Sequence, residues 1–150
     1  LCTLLLSTSQ TFAEPIWHCS RTALAEKDVL FKDDKNQFSI ASQSASEGVI
    51  GVSLNDLIDV YSGAPISISG LPLSACFMTE EEQLTSEALS SLGHETAIIK
   101  ALSKKSSIVQ SNIHQVSNAK QMVACIEKNF PAVGYLDRPI ETEAIQPCFK

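Results

Sequence analysis

Long apolar runs are the first thing this 150-residue sequence lacks. After the opening "LCTLLLSTSQTFA", nothing approaches the roughly 18 consecutive apolar residues of a membrane helix, so no stable membrane insertion is expected once that opening is removed. Basic clusters are scarce as well. There are 11 Lys and Arg against 17 Asp and Glu, a net charge of −6, and apart from Lys104-Lys105 the basic residues are scattered, which disfavours nucleic acid as a partner. Neither C-x-x-C nor H-x-x-x-H occurs, and His18 and Cys19 are adjacent, so on a strand they point to opposite faces. No metal and no cofactor is expected on this spacing. G-x-S-x-G, the elbow that holds a serine nucleophile exposed, is absent too.

What is present begins with the opening itself. Residues 1–13 carry no Asp, Glu, Lys, Arg, Pro or Gly and pass from an apolar patch to small residues at Thr11 and Ala13. That pattern is the end of a truncated secretory signal, with cleavage expected before Glu14. Residues 14–150, about 137 in number, then suffice for a single domain in the periplasm or outside the cell. Export changes how the cysteines read. Cys19, Cys76, Cys125 and Cys148 remain, an even number in an oxidising compartment, which favours two disulfides among three connectivities. Because Cys19 and Cys148 lie on the first and last extended segments, which commonly meet, the expected pairs are Cys19 with Cys148 and Cys76 with Cys125.

The local patterns alternate between strand and helix. "EPIWHCS" and "NQFSIAS" read as strands, joined by a polar connection that Val29, Leu30 and Phe31 pin to the core. In "VSLNDLIDVYSG", Ser53 is the cap, Asp56 completes a capping box, Leu54, Leu57, Ile58 and Tyr61 form the apolar stripe, and Gly63 stops the run. "APISISGLPLSACFM" gives two short extended pieces. "MTEEEQLTSEALSSLG" predicts a helix capped by Thr79, with Glu80, Glu81 and Glu82 in its first turn, Leu84, Ala88, Leu89 and Leu92 inward, and Gly93 past its end. "ETAIIKALSKK" predicts a helix burying Ala97, Ile98, Ala101 and Leu102. In "SNAKQMVACIEKNF", Ser117 is the cap, Ala119, Met122, Val123, Ile126 and Phe130 face inward, and Pro131 ends the helix before the strand "AVGYL". "AIQPCF" is the last extended segment. The class is α/β, a mixed sheet flanked by helices and stabilised by disulfides.

Two of these stretches carry a resemblance. "SLNDLIDVYSG" and "NAKQMVACIEKNFPAVGYL" resemble motifs of the compact, phosphate-type members of the type II periplasmic solute-binding fold, over about 85 residues. "LPLSACFM" and "PAVGYL" are also similar to a family of exported bacterial proteins to which the resemblance attaches no activity. The solute-binding resemblance implies that Gly134 allows close backbone approach, that Tyr135 packs over a cleft, and that a helix start faces a bound anion.

On this reading the chain is a non-enzymatic solute-binding domain. A small anionic or polar solute is expected at the helix starts, near Ser53 and Ser117-Asn118, with Ser106-Ser107 and Tyr135 as further candidates. For Ser53 and Ser117 alone, capping is the blander explanation. An envelope interaction platform without a small-molecule ligand is the alternative. A thiol or serine hydrolase using His18, His94 or His114 as base ranks lower, since no orienting third group is evident. Trp17 reads as core rather than as a stacking platform.

Overall fold

In the computed structural model, which describes residues 14–22, 48–104 and 112–149, the chain forms β1 (Ile16–Ser20), α1 (Leu54–Tyr61), β2 (Ser67–Ile68), β3 (Leu71–Pro72), β4 (Ser74–Met78), α2 (Glu82–Ser91), α3 (Thr96–Lys104), β5 (Ile113–Val116), α4 (Ala119–Lys128), β6 (Ala132–Leu136) and β7 (Ile145–Pro147). The expected signal, the strand over 36–42, its anchoring apolar residues at 29–31, and Ser106 and Ser107 lie outside the described residues.

Five strands make one sheet in the order β5-β4-β6-β1-β7, while β2 and β3 pair as a separate hairpin. β4 runs parallel to β5 and β6; β1 runs antiparallel to β6 and β7. The mixed, helix-flanked sheet expected from the sequence is therefore what the chain forms. Its two faces are set by neighbouring residues of "AVGYL". Successive strand residues point to opposite faces. Gly134 looks at α4, where an added Cβ would sit 2.5 Å from Met122 Sδ and 2.8 Å from Ile126 Cδ1. Tyr135 looks the other way and reaches Thr85 on α2. Glycine at 134 thus lets α4 lie close on the sheet, and an alanine there would overpack the contact by about 1–3 kcal/mol.

Helix ends follow local chemistry, though not always at the residue expected. The capping box of α1 is present: Ser53 Oγ accepts from Asp56 N–H at 3.2 Å and Asp56 Oδ2 accepts from Ser53 N–H at 2.9 Å. Leu57, Val60 and Tyr61 are buried, whereas Leu54, placed on the stripe by its spacing, is exposed. The β2–β3 turn has positive φ at both Ser69 and Gly70, the geometry of a two-residue type I′ hairpin. Thr79 does not cap α2. Its N–H and hydroxyl both donate to Val116 O, at 2.9 and 3.3 Å, because Thr79 still belongs to the edge between β4 and β5. The N-cap is Glu81, without a side-chain cap, and only Glu82 of the three glutamates falls in the first turn.

The two later helices also depart from their expected faces. α3 buries Ile99 and Ser103, while Ala97, Ile98 and Ala101 are exposed. Its sequence carries apolar residues on both sides, and Ser103 is accommodated inside by donating to Lys100 O at 2.8 Å. α4 is capped by Asn118 rather than Ser117, since the Asn118 Oδ1 atom accepts from Gln121 N–H at 3.0 Å. Met122 and Ile126 are buried as expected, joined by Cys125; Ala119 and Phe130 are exposed and Val123 is half-buried.

Both expected disulfides form, Cys19–Cys148 and Cys76–Cys125. The first joins neighbouring extended segments, as Cys148 N–H donating to Trp17 O at 2.8 Å makes plain. The second ties β4 to α4. Trp17 is half-buried against Tyr61 and Tyr135, ring centroids 5.6 and 5.7 Å away, which is a packing role.

Candidate functional site

From β4 the chain crosses to β5 on one side and then returns to β6 on the other, so the junction of β4 and β6 is a topological switch point. Open α/β sheets offer a crevice there, beyond the carboxyl ends of the strands. The two strands do part: β4 pairs with β6 only at Ser74 and Ala75, whereas its pairing with β5 runs on to Met78.

Past Ala75, side chains serve the backbone groups that β6 no longer reaches. Tyr61 donates to Cys76 O at 2.6 Å. Met78 N–H donates to Tyr135 Oη at 2.8 Å, and Thr85 Oγ1 donates to Met78 O at 3.0 Å. The single Thr85 proton is thereby used, so tyrosine is the donor in the 2.7 Å contact between Tyr135 and Thr85. These three bonds close a ring. Burial pushes the Tyr135 phenol up to about 12 and the Tyr61 phenol well above its ordinary range, which keeps both hydroxyls protonated as donors.

Beside the ring, between α2 and α3, lies a surface cleft of 260 Å³. Met78 and Thr85 belong to both the ring and the cleft wall; Thr79, Glu82, Ser86, Thr96 and Lys100 complete the polar lining. The sequence positions these groups simply. Thr79 follows the end of β4, Glu82 and Ser86 are one helical turn apart on α2, and so are Thr96 and Lys100 on α3. Among the described residues, the side chains of Glu82, Ser86, Thr96 and Lys100 form no hydrogen bond or ion pair, and the α2 start that adjoins them has no side-chain cap. Glu82, the first residue of that helix, lines the cleft, and the first-turn N–H groups of a helix have no partner within it.

The residues singled out in the sequence are not brought together. Ser53 is engaged in its capping box, three residues after Ile50, which donates to Ser20 O at the amino edge of the parallel strands. Ser117 and Asn118 lie at the opposite, carboxyl edge, where Ser117 O accepts from Glu80 N–H at 2.9 Å. There, Asn118 caps α4 and Ser117 N–H donates to Gln121 Oε1 at 2.9 Å. Tyr135 is fully buried behind the cleft wall instead of lying over an opening. Ser86, Thr96 and Lys100 carried no motif in the sequence. The signal that could have found them is the order strand, two helices, strand, helix, strand, which creates the switch point.

The histidines have structural partners. In His18, Nδ1–H donates to Ile16 O at 2.9 Å, and Nε2 accepts from Ile140 N–H at 3.0 Å. Burial lowers its pKa, against the opposing effect of the Ile16 carbonyl. His94 Nε2 donates to Ile58 O at 2.7 Å. His114, whose pKa burial also lowers, lies 3.2 Å from Ser74 Oγ, and no carboxylate orients it among the described residues. All four described cysteines are in disulfides, so none offers a free thiol. No group of three or more His, Cys, Asp or Glu suited to a metal occurs among the described residues. Comparison with protein-family models, curated proteins and solved structures finds no match for this chain.

Proposed function

We propose that the chain is an exported, non-enzymatic domain that holds a small polar solute in the cleft at the carboxyl end of β4. The observation that carries this reading is the coincidence, at the carboxyl end of β4, of a cleft between α2 and α3, a helix start without a side-chain cap and four side chains with unspent hydrogen-bonding capacity among the described residues. The likeness of two sequence stretches to the type II periplasmic solute-binding fold agrees with it, with the solute moved from Ser53 and Ser117 to the start of α2. Two disulfides are compatible with an oxidising compartment, and among the described residues no helix is long and apolar enough to cross a membrane.

The test is a thermal-shift panel of sugars, simple anions, amines and amino acids on the purified domain. A solute at a thousandfold excess over its dissociation constant adds about 4 kcal/mol of apparent stability. Ser86→Leu, which fills the cleft from an exposed helical position, should abolish the shift. A panel without any shift, or a shift that survives Ser86→Leu, would reject the cleft as the site.

A second reading, an envelope interaction platform, draws on one observation: Ala97, Ile98 and Ala101 form an exposed apolar strip on α3, with Ile98 56% exposed. Size-exclusion chromatography with light scattering checks the simplest form of it. Self-association that Ile98→Glu reverses would favour the platform.

A further inference from the structure

Resting on the cleft reading, we infer that the solute is a small zwitterion, carrying a cationic and an anionic group on one short frame. The cleft is lined by one carboxylate, Glu82, and one ammonium, Lys100, which among the described residues pair neither with each other nor with any other side chain. Opposite charges that line one cleft and have no protein partner are matched by a ligand bearing both charges. Should they pair when the cleft is empty, an exposed pair of this kind is worth only about 0–1 kcal/mol, so a ligand displaces it readily.

A simple anion fits this place less well. The unpaired N–H groups at the start of α2 favour negative charge, yet Glu82 sits in that first turn and already supplies it, and Glu80 and Glu81 stand immediately before it. Lys100 is the single cationic side chain in the lining. A free anion in the cleft would therefore meet the Glu82 carboxylate as well as the Lys100 ammonium. A zwitterion turns this arrangement to advantage, with its cationic head toward Glu82 and its anionic head toward Lys100. Ser86 and Thr96 stand one helical turn from each of these and offer neutral hydroxyls to the frame between. Size is compatible with this. The cleft volume of 260 Å³ has room for a small amino acid or betaine.

The experiment is isothermal titration of the whole chain with glycine, L-alanine, L-serine, L-threonine and glycine betaine. Each amino acid is accompanied by its N-acetyl derivative, which lacks the cation, and its methyl ester, which lacks the anion; acetate, inorganic phosphate and glucose complete the set. The inference expects at least one zwitterion to bind and both of its charge-stripped derivatives to bind at least tenfold more weakly. Glu82→Gln and Lys100→Met should each weaken the zwitterion at least tenfold while leaving the unliganded melting temperature nearly unchanged, since both side chains are exposed. Acetate or phosphate binding more tightly than every zwitterion, with Glu82→Gln improving it, would overturn the zwitterion assignment while leaving the cleft as a solute site. Glucose binding in preference would do the same. No binding by any probe would overturn both.

Discussion

Three hydroxyls hold open the place where β4 and β6 part. Tyr61, Tyr135 and Thr85 stand in for ladder bonds that the diverging strand cannot make, and each is spent on a backbone group of Cys76 or Met78 or on a neighbour in the ring. Removing one leaves a buried partner unsatisfied, which costs about 1–3 kcal/mol. Tyr135→Phe should therefore lower the unfolding free energy by about that amount although the aromatic side chain is otherwise retained, as urea denaturation would measure; an unchanged midpoint and slope would refute the role given to the hydroxyl.

His18 makes a second prediction at this scale. Its folded pKa is depressed by burial, so the unfolded chain takes up the proton first, near the ordinary value of 6.5. Stability is thus complete above that pH and falls as the pH drops from it toward the folded value. Protonation of Nε2 must also displace the Ile140 N–H that it accepts. His114 adds to the same trend. Unfolding between pH 7.5 and 5.5 should show this decline, and His18→Gln should flatten it; an equal slope in the two proteins would argue against His18 as a source.

At the scale of elements, the start of a helix is worth reading for what its cap leaves over. α1 and α4 close their starts with their own side chains, through Ser53 with Asp56 and Asn118 with Gln121. α2 does not, because Thr79 is held by β5. The first signal was legible in "SLND", where a hydroxyl and a carboxylate three residues apart satisfy each other's backbone. The displaced caps were not. Ser117 and Asn118 are equally good by type, and only the turn geometry decides that Asn118 takes the extended backbone of the cap. The inward face of α3 was illegible for a related reason: apolar residues on both sides of a nine-residue helix leave the choice to tertiary packing, and Ser103 is buried because a carbonyl one turn back accepts its proton. Asn118→Ala should cost about 1 kcal/mol and Ser117→Ala a few tenths at most. Thermal denaturation of the two variants distinguishes them, and a greater loss for Ser117→Ala would contradict the assignment.

For the whole molecule, the Cys19–Cys148 disulfide was readable because the first and last strands of a domain commonly meet, whereas the close approach at Gly134 was what the solute-binding resemblance implied. The cleft was not readable, since Thr79, Glu82, Thr96 and Lys100 become neighbours only through the crossover from β4 to β5. Of the candidates Ser53, Ser106, Ser107, Ser117, Asn118 and Tyr135, Ser53 lies at the amino edge of the parallel strands and Ser117-Asn118 at the carboxyl edge. Each disulfide closes a long loop, spanning 129 and 49 residues in sequence. In the chain-entropy account these contribute about 5 and about 4 kcal/mol. Replacing Cys76 and Cys125 by alanine together should then lower the unfolding free energy by several kcal/mol, which guanidinium titration can read; a loss under about 1 kcal/mol would mean the loop constraint is offset elsewhere.

The central claim is that a small polar solute is held where β4 ends and α2 begins. A heteronuclear NMR titration of the isotopically labelled chain, with a solute that raises its melting temperature, tests it most directly. Amide shifts concentrated at Thr79, Glu82, Ser86, Thr96 and Lys100, saturating with one site, are the predicted result. Shifts centred on Ser53, or on Ser117 and Asn118 with those five unmoved, would contradict it.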